Sequence, residues 1–373
     1  MTDEKDTRTP PETQPAFETG ARVEVLPEAP AQGRLLAIYQ SPETDTLIFM
    51  NSHYCPARPT EKGDRTIIAS HGGMHFTIPQ TYDKELLREG GLGPGVGKLF
   101  RYCSYLLAEG NEYKGTGEVN ETVVLNIDEY MNACKPKGEK GERENDTPAR
   151  RAKRKYKLRR RLESLAELLF YGALEWEDEK TVNALRLFGK RTLDKGTGDI
   201  YITFDQDTAK LLRKAYIGHL SKDMFRLDER NPNLVPLYCK LALHAGLQRN
   251  QERDTADIIS VKALLNSCPG TPDISQVRGG DRAFGRRIIA SLERDLDALV
   301  EGDLLVTWEY CGPKKAILTE EQLNAADFKT FYSMYVTFKM KDEPERTNAQ
   351  VGAAAKPKRL GKPKASKGKR RKP

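Results

Sequence analysis

The 373-residue chain has no apolar run approaching the roughly 18–20 residues that a membrane-spanning helix needs, so no membrane partner is expected. Its six cysteines (Cys55, Cys103, Cys134, Cys239, Cys268 and Cys311) lie singly, with no CxxC pair. That spacing argues against a zinc site or a disulfide framework and suits reduced core thiols in a cytoplasmic protein. Histidine is scarce, at five residues. The one close pair, His71 and His75, has no nearby cysteine and only His53 in its region, so a β-turn is expected there and no metal. The first twenty residues are polar, acidic and proline-rich without an apolar core, unlike a secretory signal.

Charge, by contrast, is plentiful and uneven. The net charge is +7, yet residues 356–373 hold ten basic side chains and no acidic one. Residues 150–161 (RRAKRKYKLRRR) hold nine more, again with no acid. Without these two runs the remainder carries −12. An acidic body with two concentrated basic segments points to a polyanionic partner.

A repeat organises the middle of the chain. Residues 125–135 (LNIDEYMNACK) align with 259–269 (ISVKALLNSCP), matching Asn132 with Asn266 and Cys134 with Cys268. Upstream, Tyr102-Cys103 precedes Gly110 as Tyr238-Cys239 precedes Gly246. Downstream, both tryptophans occur as Trp-Glu, at Trp176 and Trp308, and 200–204 (IYITF) matches 334–338 (MYVTF). The matches are collinear, at offsets of 132 to 136 residues, which predicts a tandem duplication. Each copy reads as an apolar helix, a short strand, a helix of about eight residues, a long helix and two β segments, the first ending at the Trp-Glu. That order is a winged helix-turn-helix.

The fold class predicted is α+β, with two tandem winged helix-turn-helix domains related by internal duplication. The boundaries are 1–20 disordered, 21–92 a small β-rich segment, 93–205 the first winged helix and 206–230 a linker. Residues 231–340 form the second winged helix and 341–373 a disordered basic tail. Within 21–92, alternation at 34–39, 46–50 and 65–70 predicts short strands.

In the first long helix Leu158, Leu162, Leu165 and Leu169 form an apolar stripe of helical period. The opposite face displays Lys153, Tyr156, Lys157 and Arg160, with Arg150, Arg151 and Arg161 beside them. Nine unbalanced cations repel one another in isolation, which favours DNA contact over a merely solvated face. In the second long helix, predicted over 281–300, Phe284, Ile288, Leu292, Leu296 and Leu299 share the apolar face. Arg282, Arg286, Arg287 and Arg294 lie off it, and Arg278 just precedes it. The tail, with Lys369, Arg370 and Arg371, suits a disordered arm giving salt-sensitive, sequence-independent affinity. Its composition also fits a nuclear-localisation signal.

No catalytic residue and no cofactor are predicted. Residues 91–98 (GLGPGVGK) approach a P-loop, but Leu92 stands where that spacing needs glycine and Leu99 replaces Ser/Thr. A flexible lead-in to the first helix is expected instead.

The layout resembles the replication initiators of iteron-type theta-replicating plasmids and related bacterial mobile elements. The resemblance covers roughly 97–340 and is carried by NPNLVPLYCKLALHAG, IISVKALLNSCP and GRRIIASLERDLDALVEGDLLVTWEY. It implies a non-enzymatic, cytoplasmic protein that binds double-stranded DNA at directly repeated origin sites through residues 150–161 and 282–287. Opening of adjacent A·T-rich DNA is implied, with a host initiator and replicative helicase as partners and a homodimer as the repressing form. The N-terminal β-like segment and basic tail depart from the family pattern. Two alternatives stay open: a transcriptional repressor with the same double reader, and a rolling-circle nickase or relaxase using His71, His75 and a tyrosine nucleophile. A third, an interaction module, would use the winged helices to bind protein.

Overall fold

A computed structural model describes residues 35–50, 60–81, 93–110, 121–134, 147–178, 181–214, 216–250, 254–271, 285–324 and 326–342. The expectations for residues 1–20 and for the basic tail, including Lys369, Arg370 and Arg371, lie outside these residues, as do Arg278 and Arg282.

The described residues begin with β1 (Leu35–Gln40) and α1 (Pro42–Phe49). Alternation across 46–50 reads as strand, but these residues lie on or at the end of α1. The reason is local. The Ser41 hydroxyl caps the helix by accepting from the Thr44 amide at 3.1 Å, and Pro42 takes a first-turn position that needs no N–H donor. Leu47, Ile48 and Met50 are then buried. Next come β2 (Thr60–Lys62), β3 (Arg65–His71) and β4 (Met74–Pro79). Gly72 and Gly73, at φ +59° and +80°, make the two-residue turn between β3 and β4.

Residues 93–205 hold α2 (Pro94–Gly110), β5 (Thr122–Leu125), α3 (Ile127–Ala133), α4 (Pro148–Tyr171), β6 (Ala173–Glu177), β7 (Val182–Arg186), β8 (Phe188–Leu193) and β9 (Ile200–Phe204). Residues 206–230, read above as a linker, carry α5 (Gln206–Lys214), β10 (Tyr216–Ser221) and a 3-10 turn (Lys222–Arg226). β10 pairs antiparallel with β1, which gives this stretch a structural role that connecting chain alone lacks.

Residues 231–340 hold α6 (Leu234–Asn250), β11 (Ile258–Ser260) and α7 (Val261–Leu265). A π-helical turn (Gly285–Ile289) leads into α8 (Ala290–Glu301), followed by β12 (Leu305–Cys311), α9 (Glu320–Asn324), α10 (Phe328–Ser333) and β13 (Tyr335–Met340).

Two three-stranded antiparallel sheets share one order, β5-β9-β8 and β11-β13-β12. In each, the strand before the short helix forms one edge and the closing strand lies in the centre. The matched Tyr102 and Tyr238, and the matched Cys103 and Cys239, are buried. The two Trp-Glu words are not equivalent, however. Trp308 lies in β12 opposite Phe338 of the closing strand. Trp176 lies in β6, opposite Met74 and Asn183, inside a five-stranded sheet of order β2-β3-β4-β6-β7. The word that pairs with β9 is β8 instead. The chain changes sheet at the fully buried Leu187, between β7 and β8. Strands β2, β3 and β4 of the N-terminal segment thus share a sheet with β6 and β7, whereas β1 pairs with β10.

One continuous core runs through these elements, from Ile38 and Phe76 through Leu99, Leu162 and Phe204 to Leu237, Leu296 and Val336. Among the described residues no helix is long and apolar enough to cross a membrane.

Candidate nucleic-acid interface

α4 carries the densest cationic surface described. It starts where Thr147 accepts from the Arg150 amide and Pro148 occupies the first turn. Arg, Lys, Leu and Glu, all good helix formers, fill its length. It ends at Gly172, whose amide donates to the Leu168 carbonyl at 2.8 Å. A Cβ on Gly172 would run into the Phe76 ring of β4, so only glycine lets helix and sheet approach this closely. Leu162 and Leu169 are buried, and Leu158 and Leu165 pack partly buried against the same core.

The other face divides along its length. Residues 147–154 are all exposed. The helix's own carboxylates, Glu163 and Glu167, come only in its second half. There they fasten specific cations. Glu163 accepts from Arg159 Nε at 2.9 Å and faces Arg160 at 3.5 Å, and Glu167 meets Arg191 at 2.8 Å. Lys155, on the flank, pairs with Asp128 of α3 at 2.6 Å. Arg161 pairs with Glu229. Among the described residues no carboxylate pairs with Lys153 or Lys157. Lys153, Lys157 and Arg160 follow one stripe opposite the leucines, with Arg150, Arg161 and Ser164 alongside. Tyr156 stands 60% exposed on the edge of that stripe. With Lys157, Arg160, Arg161, Ser164 and Leu165 it lines a shallow cavity of about 290 Å³.

The hairpin β8–β9 stands beside this helix; the sequence words predict β9 as the closing strand but not β8 as its partner. Arg191 reaches Glu167, and Gly198 in the turn lies against Arg159. The Asp194 carboxylate accepts from the Gly196 and Thr197 amides at 2.7 and 3.2 Å, which holds its pKa below the usual value and fixes the turn. Lys190 and Lys195 are exposed on this hairpin. The signal was present in Asp-Lys-Gly-Thr-Gly-Asp before IYITF, a turn sequence ahead of a strand.

The second long helix is weaker in charge. Ile288, Leu292, Leu296 and Leu299 are buried as its period predicts. Arg286 and Arg287 fall in the π-helical turn, with Arg287 exposed. Arg294 is exposed, 3.2 Å from Ser291 Oγ and 3.6 Å from Asp295. The acids that crowd this helix are partnered. Asp295 is fully buried and accepts from Asn231 and Asn233, each at 2.7 Å. Asp297 accepts from the Trp308 indole at 2.9 Å. Burial and the nearby Asp297 charge push the Glu293 carboxyl up.

The discounted motifs have other partners. His75 Nδ1 lies 2.7 Å from Ser70 Oγ, while His71 stacks on Phe49 at 5.2 Å. Lys98 is buried in α2 and donates to the Leu227 carbonyl at 3.3 Å. Burial raises the thiol pKa of Cys103, Cys134, Cys239 and Cys268, that of Cys239 to about 12. Among the described residues, no three His, Cys, Asp or Glu side chains are grouped to hold a metal ion.

No protein-family model and no curated protein matches the chain. Among solved structures it is similar to the crystal structure of Pi initiator protein in complex with iteron DNA. The identity is 10% and the TM-score 0.39, over 74% of this chain and 100% of that one.

Proposed function

We propose that this protein binds double-stranded DNA through two winged helices related by duplication, and that it initiates replication of a plasmid or mobile element at directly repeated sites. The observation that carries the reading is the exposed face of α4 from Lys153 to Arg160. A helix of major-groove width projects a cationic stripe, Lys153–Lys157–Arg160, while its acids are confined to the half that packs into the body. Lys153 and Lys157 supply phosphate neutralisation, and Arg160 has the fork geometry for a guanine edge. The β8–β9 hairpin serves as the wing, with Lys190 and Lys195 following the backbone. In the second repeat α8, extended by the turn bearing Arg286 and Arg287, is the corresponding reader. Arg278, Arg282 and the tail's Lys369, Arg370 and Arg371 add phosphate contacts. The reading assigns no catalytic group.

Direct repeats follow from inequality. One reader is strongly basic and the other is not, so one chain recognises a site with a direction. Directional sites stack head to tail, whereas a palindrome requires a two-fold dimer. Footprinting on the DNA flanking the gene tests this. Protection of an array of short direct repeats beside an A·T-rich tract is the expected result. Protection of one palindrome would move the reading to a repressor, and no protection would overturn it.

A further inference from the structure

The segment joining the two repeats, residues 227–233, is polar and is fastened at both ends. At one end Glu229 is mostly shielded from solvent and divides its carboxylate between two cations of the first repeat. One oxygen lies 3.1 Å from Lys98 Nζ of α2, and the other pairs with Arg161 of α4. Lys98, itself buried, also donates to the Leu227 carbonyl of the same segment at 3.3 Å. At the other end Asn231 and Asn233 each donate to Asp295 of α8 at 2.7 Å. Asp295 is fully buried, so these amides are what make its burial tolerable. Asn231 further accepts from the Asn233 amide at 3.0 Å, which fixes the local turn. Within five residues the chain therefore bonds to both proposed DNA-reading helices.

We propose that this connector is a spacing gauge: Glu229, through Arg161 and Lys98, and Asn231 with Asn233, through Asp295, set the distance and phase between α4 and α8, and so determine which half-site separation the protein accepts. Two readers on a slack tether would accept many separations. Here the shared apolar core joins the two halves and the short polar segment pins both readers, so one separation is accepted, because each base pair of extra spacing rotates the second groove by about 35°. Glu229, Asn231 and Asn233 act here as positioning residues and touch no DNA. The connector's chemistry suits the task. Its contacts are directional hydrogen bonds and ion pairs, which specify an angle, where apolar packing would tolerate sliding.

The inference rests on the double-reader function, and the test separates the two. The full chain is used to select from a pool of duplexes with about 40 randomised base pairs. The wild type should enrich two half-site words at one fixed separation. In Glu229→Gln, which keeps the side-chain shape and removes the charge, the same words should appear at separations spread about one to two base pairs either way. Preference for the original separation should fall about tenfold, a typical loss when one coupled contact is removed. Asn231→Ala is the second variant, since Asn233 still satisfies Asp295, and it should broaden the separation in the same way. Both are checked for folding by circular dichroism and thermal melting. If folded Glu229→Gln and Asn231→Ala both keep the single wild-type separation, the gauge is overturned. If the wild type enriches no word pair, the double-reader function fails and the gauge falls with it.

Discussion

Lys157 and Arg160 lie one turn apart on α4, but they differ in what surrounds them. Lys157 meets no carboxylate among the described residues, whereas Arg160 lies 3.5 Å from Glu163. The expected roles differ accordingly. Lys157→Ala should weaken binding to every duplex alike and reduce the salt slope by about one. Arg160→Ala should relax preference at one base pair, costing roughly 1–3 kcal/mol of discrimination. Anisotropy titrations at several salt concentrations, on matched and single-mismatch duplexes, read both. A lysine variant with an unchanged salt slope would remove this stripe from the interface.

His71 makes a second prediction at this scale. Burial, aided by the Lys240 charge, lowers its pKa below the ordinary 6.5. The unfolded chain therefore binds a proton at His71 more readily than the folded one. Stability attributable to this site is present above pH 6.5 and is lost as pH falls through 6.5 towards the folded value. Urea midpoints between pH 7.5 and 5.5 should decline, and His71→Gln should decline less. Equal declines would show that His71 does not couple folding to pH.

Among elements, the junction of α4 with the five-stranded sheet is the tightest approach in the reader's support. Gly172→Ala would push against the Phe76 ring and the Leu168 carbonyl. It should cost about 1–3 kcal/mol of stability, measured by denaturant unfolding. Unchanged stability would mean that α4 and β4 separate freely. Much at this scale was legible in the sequence. The leucine period placed the buried face of α4, and the matched words 125–135, 200–204, 259–269 and 334–338 fall on short helices and closing strands. Periodicity could not show that a strand word may serve different sheets. The residues from Val182 to Leu193, which carry no predicted strand, form two strands that divide at Leu187 between two sheets, and Trp176 falls on a different sheet from its match. Sheet membership depends on partners distant in sequence, which local pattern does not encode. The helix at Pro42–Phe49 was misread for the opposite reason: a local cap at Ser41 outweighed a short alternation.

For the whole molecule, charge separates two kinds of affinity. The basic stripe of α4 is set in register by a packed helix, whereas the ten basic residues of 356–373 are proposed to act through charge alone. Deleting 356–373 should lower affinity for matched and random duplexes by the same factor. The salt dependence should also become shallower, by about 0.9 for each phosphate no longer neutralised. A deletion that changed the preferred sequence would contradict this division. The candidate site divided in the same way between what sequence could and could not show. Cations were visible because unbalanced runs are visible. Their restraints were not, because Glu229 reaches Arg161 across 68 positions of chain.

The pairing of β1 with β10 has a consequence for synthesis. β1 finds its partner about 180 residues later, at Tyr216–Ser221. At ribosomal speeds of about 5–20 residues per second, the apolar word LLAIYQ waits roughly 10–40 seconds with an unpaired edge. During that interval the nascent chain is open to strand addition from neighbouring chains on the same message, and a chaperone able to shield an extended apolar segment would have its greatest effect there. Yield of soluble protein should therefore respond to translation rate between codons 40 and 221 more than to translation rate after codon 221.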